Sequence, residues 1–320
     1  MFLMKIKRLL PFCLLIAFAL TQCNEDEPVP NYSDPTNVNC NATVGAINGV
    51  TEESNTNLHK VANRLEMPRL KGGPDNLFVV HTVPTYGINY CMEYDCSKKA
   101  PRWSAYQSYA DNAVKNWNRK DWGKDPFQED PLLPKEYRTT LDDHKNNGHD
   151  RGHIVASEDR VCSKDANEQT FYLSNIHPQL NGFNAQGVWY NLESHIRNTY
   201  CQHSGNNYFC DTLYVVKGGT IDNYNYTMLK GSGQHIVRPK FFFMALLRKS
   251  SKDTTQGGYA AIAFWMEHKV NTSTAADFSR YAISIDELEK RTGIDFFCNL
   301  PDAIEEQVES NLVLSAWKLR

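Results

Sequence analysis

Apolar positions along this chain fall into short runs. Residues 77–83 form a compact, β-branched run that predicts a strand. Residues 102–109 alternate imperfectly through Trp103, Ala105, Tyr106 and Tyr109 and predict a second. Residues 212–216, 236–247 and 259–266 predict three more, and the unbroken stretch 241–247 suits a central strand buried on both faces. Residues 151–156 read as a shorter strand. Helical spacing is rarer. Val188, Leu192 and Ile196 recur at i, i+4 and i+8, which predicts a helix over 187–200, with Trp189, Glu193 and Arg197 on a neighbouring face. Residues 165–172 predict a short helix. Ser284, with Glu287 three residues on, reads as a capping box opening another helix that Gly293 ends. Residues 90–96 read as a loop, and 117–137, rich in proline and charge, as a long irregular segment of the kind that often carries function.

The pattern changes towards the N-terminus. Lys5, Lys7 and Arg8 precede ten apolar residues, 11–20, too few to span a bilayer core of roughly 30 Å. This predicts a signal peptide over 1–22. The junction Leu20-Thr21-Gln22-Cys23 resembles a bacterial lipobox, with Cys23 as the acylated residue and Gln22 a departure from the usual small residue. The acidic run Asn24-Glu25-Asp26-Glu27 resembles surface-export signals of bacterial lipoproteins. Simple cleavage and release is the alternative. Residues 24–60 are polar and carry no hydrophobic period, so 23–64 reads as a lipidated, disordered tether to a membrane. One globular domain is expected over 65–320. Its localisation would be exported: outer membrane or cell surface, otherwise periplasmic or secreted.

Composition adds two constraints. The 320 residues are 41% hydrophobic and 22% charged, ordinary for a globular protein. Net charge is −3, or −6 without the three leader cations. A nucleic-acid enzyme of that sign must concentrate positive charge locally, because phosphate attraction acts over about 8 Å. Nine cysteines fit an oxidising compartment. Beyond Cys13 and Cys23 remain Cys40, Cys91, Cys96, Cys162, Cys201, Cys210 and Cys298. Cys91/Cys96 and Cys201/Cys210 are close enough for local disulfides, and the odd count leaves at least one thiol free or bridging another chain. No Cys-x-x-Cys pair supports structural zinc.

Candidate chemistry concentrates in residues 148–197. The segment begins Gly148-His149-Asp150-Arg151-Gly152-His153 and continues through Thr170-Phe171-Tyr172-Leu173-Ser174-Asn175 and Pro178-Gln179 to Asn184, Trp189, Glu193 and Arg197. Hydrolysing a phosphodiester needs an activated water, stabilised charge on the phosphorane-like state and help for the leaving oxygen. His153 suits the first task because its ordinary pKa lies near neutrality. Asn184 offers a neutral oxygen to Mg²⁺, which prefers oxygen ligands and keeps its waters. Glu193 can hold such waters, and arginines bind phosphate with a two-pronged fork. Taken singly, each residue has an ordinary structural role: a hydrogen-bonded histidine, turn asparagines at 175 and 184, a helix ion pair between Glu193 and Arg197, a core Trp189. His144, His149, His177, His195 and His203 are read in that ordinary way. It is the joint order and spacing that favours chemistry.

These residues resemble the DNA/RNA non-specific endonuclease family, the ββα-metal nucleases. The match comprises Asp150-Arg151-Gly152-His153, the later Leu173-Ser174-Asn175-x-x-Pro178-Gln179 with Asn184, Trp189, Glu193 and Arg197, and a C-terminal part from Ser284 to Phe297. It covers roughly 75–300. The Asn184-to-Trp189 interval is one residue longer than in the typical member, and Phe171 stands where some members have a supporting asparagine. The resemblance implies an α+β fold: a central, mainly antiparallel sheet flanked by helices, with the ββα-metal motif on one face. It implies His153 as general base, Asn184 as the direct Mg²⁺ ligand (Mn²⁺ an alternative) and Glu193 as holder of metal-bound waters. Arg151 and Arg197 would lie near the phosphate. Arg119, in Asn118-Arg119-Lys120-Asp121-Trp122, matches the upstream phosphate-side arginine with one extra residue before the tryptophan. The implied substrates are DNA and RNA, and the implied products carry 5′-phosphate and 3′-hydroxyl ends. Two rivals are a surface lipoprotein that binds nucleic acid without cutting it, and a toxin nuclease held by an immunity protein.

Overall fold

The computed structural model describes residue 37 and residues 39–320. The expected signal peptide, Cys23 and the first part of the tether lie outside the described residues. Strands run, in chain order, β1 Gly49–Thr51, β2 Asn76–Val83, β3 Gly87–Asp95, β4 Ala100–Tyr109, β5 Asp150–His153, β6 Ile176–Gln179, β7 Thr212–Gly219, β8 Tyr226–Lys230, β9 His235–Pro239, β10 Phe241–Lys249, β11 Tyr259–Glu267 and β12 Ala282–Ile283. Helices are α1 Leu58–Ala62, α2 Lys164–Gln169, α3 Asn181–Asn184, α4 Val188–His195, α5 Ile285–Thr292 and α6 Asp302–Ser310.

The main sheet has the order β1-β2-β3-β4-β7-β10-β11-β12. Only β1 and β2 pair in parallel; the other neighbours are antiparallel. Side chains alternate across it with period two. Val79, Met92, Tyr106, Val215, Met244 and Phe264 join one core with Trp189, Leu192 and Ile196 of the α4 region. Val80, Cys91, Ala105, Val216, Ala245 and Ala263 join the opposite core with Ile285, Leu288 and Val308 of α5 and α6. Covering both faces explains why the central strands read as unbroken apolar runs. The result is the expected α+β fold with a mainly antiparallel sheet.

Two small sheets complete it. β5 and β6 pair antiparallel, placing Arg151 opposite Pro178 and His153 opposite Ile176. With the helices that follow, they form the ββα unit. β8 and β9 form the other.

Several expectations are corrected. The tether does not extend to residue 64. Glu52 accepts from Thr82 N–H and meets the His81 ring at 3.0 Å, β1 pairs with β2, and the Asn41 amide donates to the carbonyls of Ala62 and Pro68. The segment is thus held by polar bonds to neighbouring backbone and side chains, which a search for apolar period cannot register. Residues 236–247 form two strands in different sheets, because Pro239 has no N–H and the chain turns at Lys240 between β9 and β10. Residues 90–96 belong mostly to β3. The described cysteines are free thiols. Cys91 faces one core and Cys96 the other, so the sheet itself separates them. Cys210 sulfur donates to Tyr200 O. The α5 cap is half a box: Glu287 N–H donates to Ser284 Oγ (3.2 Å), but the Glu287 carboxylate pairs with Arg291. Gly293 ends the helix at φ 71°. The helix expected over 187–200 is α-helical only to His195, and Ile196–Tyr200 forms a π-helical turn.

Candidate active site

β5 delivers the histidine. Gly152 sits so close to β6 that a Cβ there would lie 2.2 Å from the Gln179 side chain, so only glycine lets the two strands meet. Buried Asn175 fixes the far end. Its Oδ1 accepts from Val155 N–H (2.9 Å) and its Nδ2 donates to the carbonyls of Val155 and Thr170. The Asn175 side chain therefore holds the β5–β6 unit in register, which is a scaffolding role.

The His153 ring lies between two phenylalanines, Phe127 at 5.3 Å and Phe171 at 5.0 Å between centroids. Each phenylalanine carries an arginine on its face. Arg151 sits 3.9 Å over Phe127 and Arg119 sits 5.3 Å over Phe171. Exposed Arg119 therefore reaches the histidine's surroundings from the irregular segment, across more than thirty residues of sequence. Phe171 serves as the platform for Arg119. Arg151 is held in place by Asp125 (2.9 Å). Burial, and then the charges of Arg119 and Arg151, push the His153 imidazole down to about 3. It is therefore neutral at pH 7. Its Nε2 is buried and has no hydrogen-bond partner among the described residues.

α3 supplies Asn184. Its Nδ2 donates to Asp150 Oδ2 (3.2 Å), and the same oxygen accepts from Asn181 Nδ2 (3.0 Å). The extra residue before Trp189 is taken up between α3 and α4, where the chain turns at Gly187. A Cβ on Gly187 would lie 2.3 Å from Gly182 O, so the turn needs a glycine. Trp189 then stacks on Phe183 (6.0 Å) and meets Phe242 edge-on, which seats α4 against the sheet.

A model of the DNA/RNA non-specific endonuclease family matches residues 78–303. The chain belongs to that family. It is 29% identical over 215 residues to Nuclease C1 of Cunninghamella echinulata var. echinulata, covering 66% of this chain and 81% of that one. It is 29% identical over 246 residues to a nuclease of Nostoc sp., covering 75% and 80%. A crystal structure of endonuclease G with its inhibitor shares the fold at a TM-score of 0.55 and 22% identity, over 67% of this chain and 84% of that one. This endonuclease is thus a hydrolase acting on DNA or RNA, from a metal-dependent family.

Beside the endonuclease's histidine lies a buried network of charges. Lys217 Nζ donates to Asp159 Oδ2 (2.9 Å) and to Glu193 Oε1 (3.1 Å), and Arg197 Nε donates to Asp159 Oδ1 (2.9 Å). Lys217 is fully buried. Two cations and two carboxylates balance, as buried charges must. Arg197 Nε pairs with Asp159, and among the described residues no ion pair joins it to Glu193 at i, i+4. Lys217 and Arg197 hold Asp159 far below the usual carboxylate range. Burial, with Asp159 nearby, raises Glu193 to about 6 against the pull of Lys217.

Asp159, Lys217 and Phe127 were not singled out from sequence, and Phe171 only as a departure from the family pattern. One signal existed. Lys217 continues the series Leu213 and Val215 on the site face of a strand with no exposed residue, so a lysine there needs partners. Phe127 gave no such signal. His177 Nε2–H donates to Pro101 O (3.1 Å), and His149 Nδ1–H donates to Asn147 O (2.8 Å). The donor set suits a hard divalent ion: an amide oxygen of Asn184, whose nitrogen is already engaged, and the Glu193 carboxylate.

Proposed function

We propose that the protein is a Mg²⁺-dependent endonuclease that cuts DNA and RNA with little sequence preference, with Mn²⁺ able to substitute. The observation that supports it most is the neutral His153 between two aromatic rings that each carry an arginine. A neutral imidazole can take a proton from water, and paired guanidinium groups suit a phosphate.

In this reading His153 removes a proton from water as its oxygen bonds to phosphorus. The bond from phosphorus to the 3′-oxygen breaks, and that oxygen takes up a proton. The products are a 5′-phosphate and a 3′-hydroxyl. Asn184 would ligate the ion directly and Glu193 would hold its waters, while Lys217 keeps Glu193 in place. A bound Mg²⁺ would supply positive charge for the phosphorane-like state and for the leaving oxygen. Arg119, Arg151 and Arg197 would neutralise and orient the phosphate. The low net charge of the whole chain is compatible with this, because the positive groups are concentrated around His153.

Nicking of supercoiled plasmid and degradation of RNA are expected in Mg²⁺, and EDTA should abolish both. Excess Mg²⁺ should restore them. Cleavage that persists in EDTA would overturn metal dependence, and binding without cleavage in Mg²⁺ or Mn²⁺ would favour a binding protein.

We also propose export by a signal peptide over 1–22 and anchoring through acylated Cys23, followed by a tether shorter than 23–64. The supporting feature is the lipobox-like junction. Mass spectrometry of the mature protein should find acyl chains on Cys23. A free N-terminus would remove the anchor.

A further inference from the structure

On the sheet face opposite His153, α5 and α6 bring a group of carboxylates together. Asp286 and Glu289 lie one turn apart on α5, and Glu309 lies on the last turn of α6. One oxygen from each falls within 4.8 Å of the others. Asp286 is exposed, Glu289 partly so, and Glu309 is 6% exposed. Glu309 Oε1 is fully buried and has no hydrogen-bond partner among the described residues.

The neighbourhood adds negative charge. Asp295 and Glu305 adjoin the group, and the Asn39 amide nitrogen serves both of them. Glu289 Oε1 accepts from Phe296 N–H (2.7 Å), which leaves its second oxygen for other partners. Among the described residues, no ion pair reaches Asp286, Glu289 or Glu309; the nearby Arg291 pairs with Glu287. A buried acid without a hydrogen-bond partner is costly in either protonation state. The contrast with the opposite face is direct: there, Asp159 and Glu193 have Lys217.

We infer that Asp286, Glu289 and Glu309 form a calcium site that clamps α6 to α5. All three donors are hard oxygens, with no histidine or cysteine to select a softer metal. Three carboxylates in one place suit Ca²⁺, which takes about six to eight oxygen ligands in flexible geometry, whereas Mg²⁺ is usually held by only about one or two carboxylates and keeps its waters. Exposed Asp286 gives the ion an entry path and leaves room for waters to complete its coordination. Both helices already bury Ile285, Leu288 and Val308 in the core beneath, so the ion would pin helices whose separation is set. This inference stands apart from the nuclease mechanism, because the site lies across the sheet from His153.

The test uses the full chain carrying Asn184→Ala, so that the nuclease's own metal site is not read. Thermal unfolding in EGTA is compared with unfolding in Ca²⁺ at about 100 times the Kd found by calorimetry. An upward shift of roughly 5 °C or more is expected, with one Ca²⁺ bound per chain. Adding Glu309→Gln should abolish both the shift and the binding heat. In EGTA, that variant should unfold no earlier than its parent, because it removes an unsatisfied acid. Asp286→Asn alters an exposed residue and should weaken binding at least tenfold. No Ca²⁺ shift in the parent, or an equal shift in Asp286→Asn, would overturn the site.

Discussion

His153→Ala should lower cleavage of both plasmid DNA and RNA by about 10²- to 10⁴-fold, the usual cost of losing a general base. The substitution should leave the fold intact, because the ring touches Phe127 and Phe171 at the edge of the small β5–β6 sheet and Asn175 keeps that sheet in register. A pH series adds a second readout. In the folded chain the imidazole is pushed from an ordinary value of 6.5 down to about 3. The unfolded chain therefore takes up this proton first. Wild type should lose stability as pH falls from 6.5 towards 3, and His153→Ala should lose less over that window. Urea unfolding at pH 7 and pH 4.5 measures the difference. Unchanged cleavage by the variant would sink the assignment of the base, whatever the stability data show.

Lys217→Met should be the most destabilising single change near the site. Lys217 is fully buried and donates to both Asp159 and Glu193. Removing one partner from a buried ion cluster leaves uncompensated charge and costs about 3–5 kcal/mol. The urea midpoint should fall accordingly at pH 7. Activity should fall as well, since Glu193 loses the contact that fixes its carboxylate. Combining Lys217→Met with Asp159→Asn should recover part of the stability, because the second change removes one of the stranded charges. A single variant within about 1 kcal/mol of wild type would show that the cluster does not need its lysine.

Much of the scaffold was legible along the chain. Strands β2, β4, β7, β10 and β11 follow from β-branched and aromatic runs, most plainly the unbroken apolar stretch Phe241–Leu247. Helix α4 follows from Val188, Leu192 and Ile196. The chemistry-bearing order of His153, Asn184, Glu193 and Arg197 was legible for a different reason: the residue types are rare together at those intervals.

Other features were not legible. The structured part of residues 39–64 is held by side chains such as Asn41 and Glu52 bonding to distant backbone, and no local period records such bonds. β9 and β10 read as one strand because Ile236-Val237 leads directly into the apolar run of β10; Arg238-Pro239-Lys240 marks the break. The pairing of Arg197 with Asp159 joins residues 38 apart in the chain, which no local spacing records. The cysteine intervals could not report that Cys91 and Cys96 face opposite cores.

By itself the sequence determined the site's inventory: His153 after a glycine, the amide oxygen of Asn184, the carboxylate of Glu193 and the arginines Arg119, Arg151 and Arg197. Those are covalent facts, and their order suffices to identify the family's chemistry. Only the tertiary structure decided how that inventory is wired. Phe171 and Phe127 become platforms for Arg119 and Arg151. Lys217, distant along the chain and ordinary in type, balances Glu193 and Asp159. The physical reason is the range of the forces. Local propensity and period act over a few residues, while the cost of burying charge is met by whichever partners the folded sheet brings within about 3 Å.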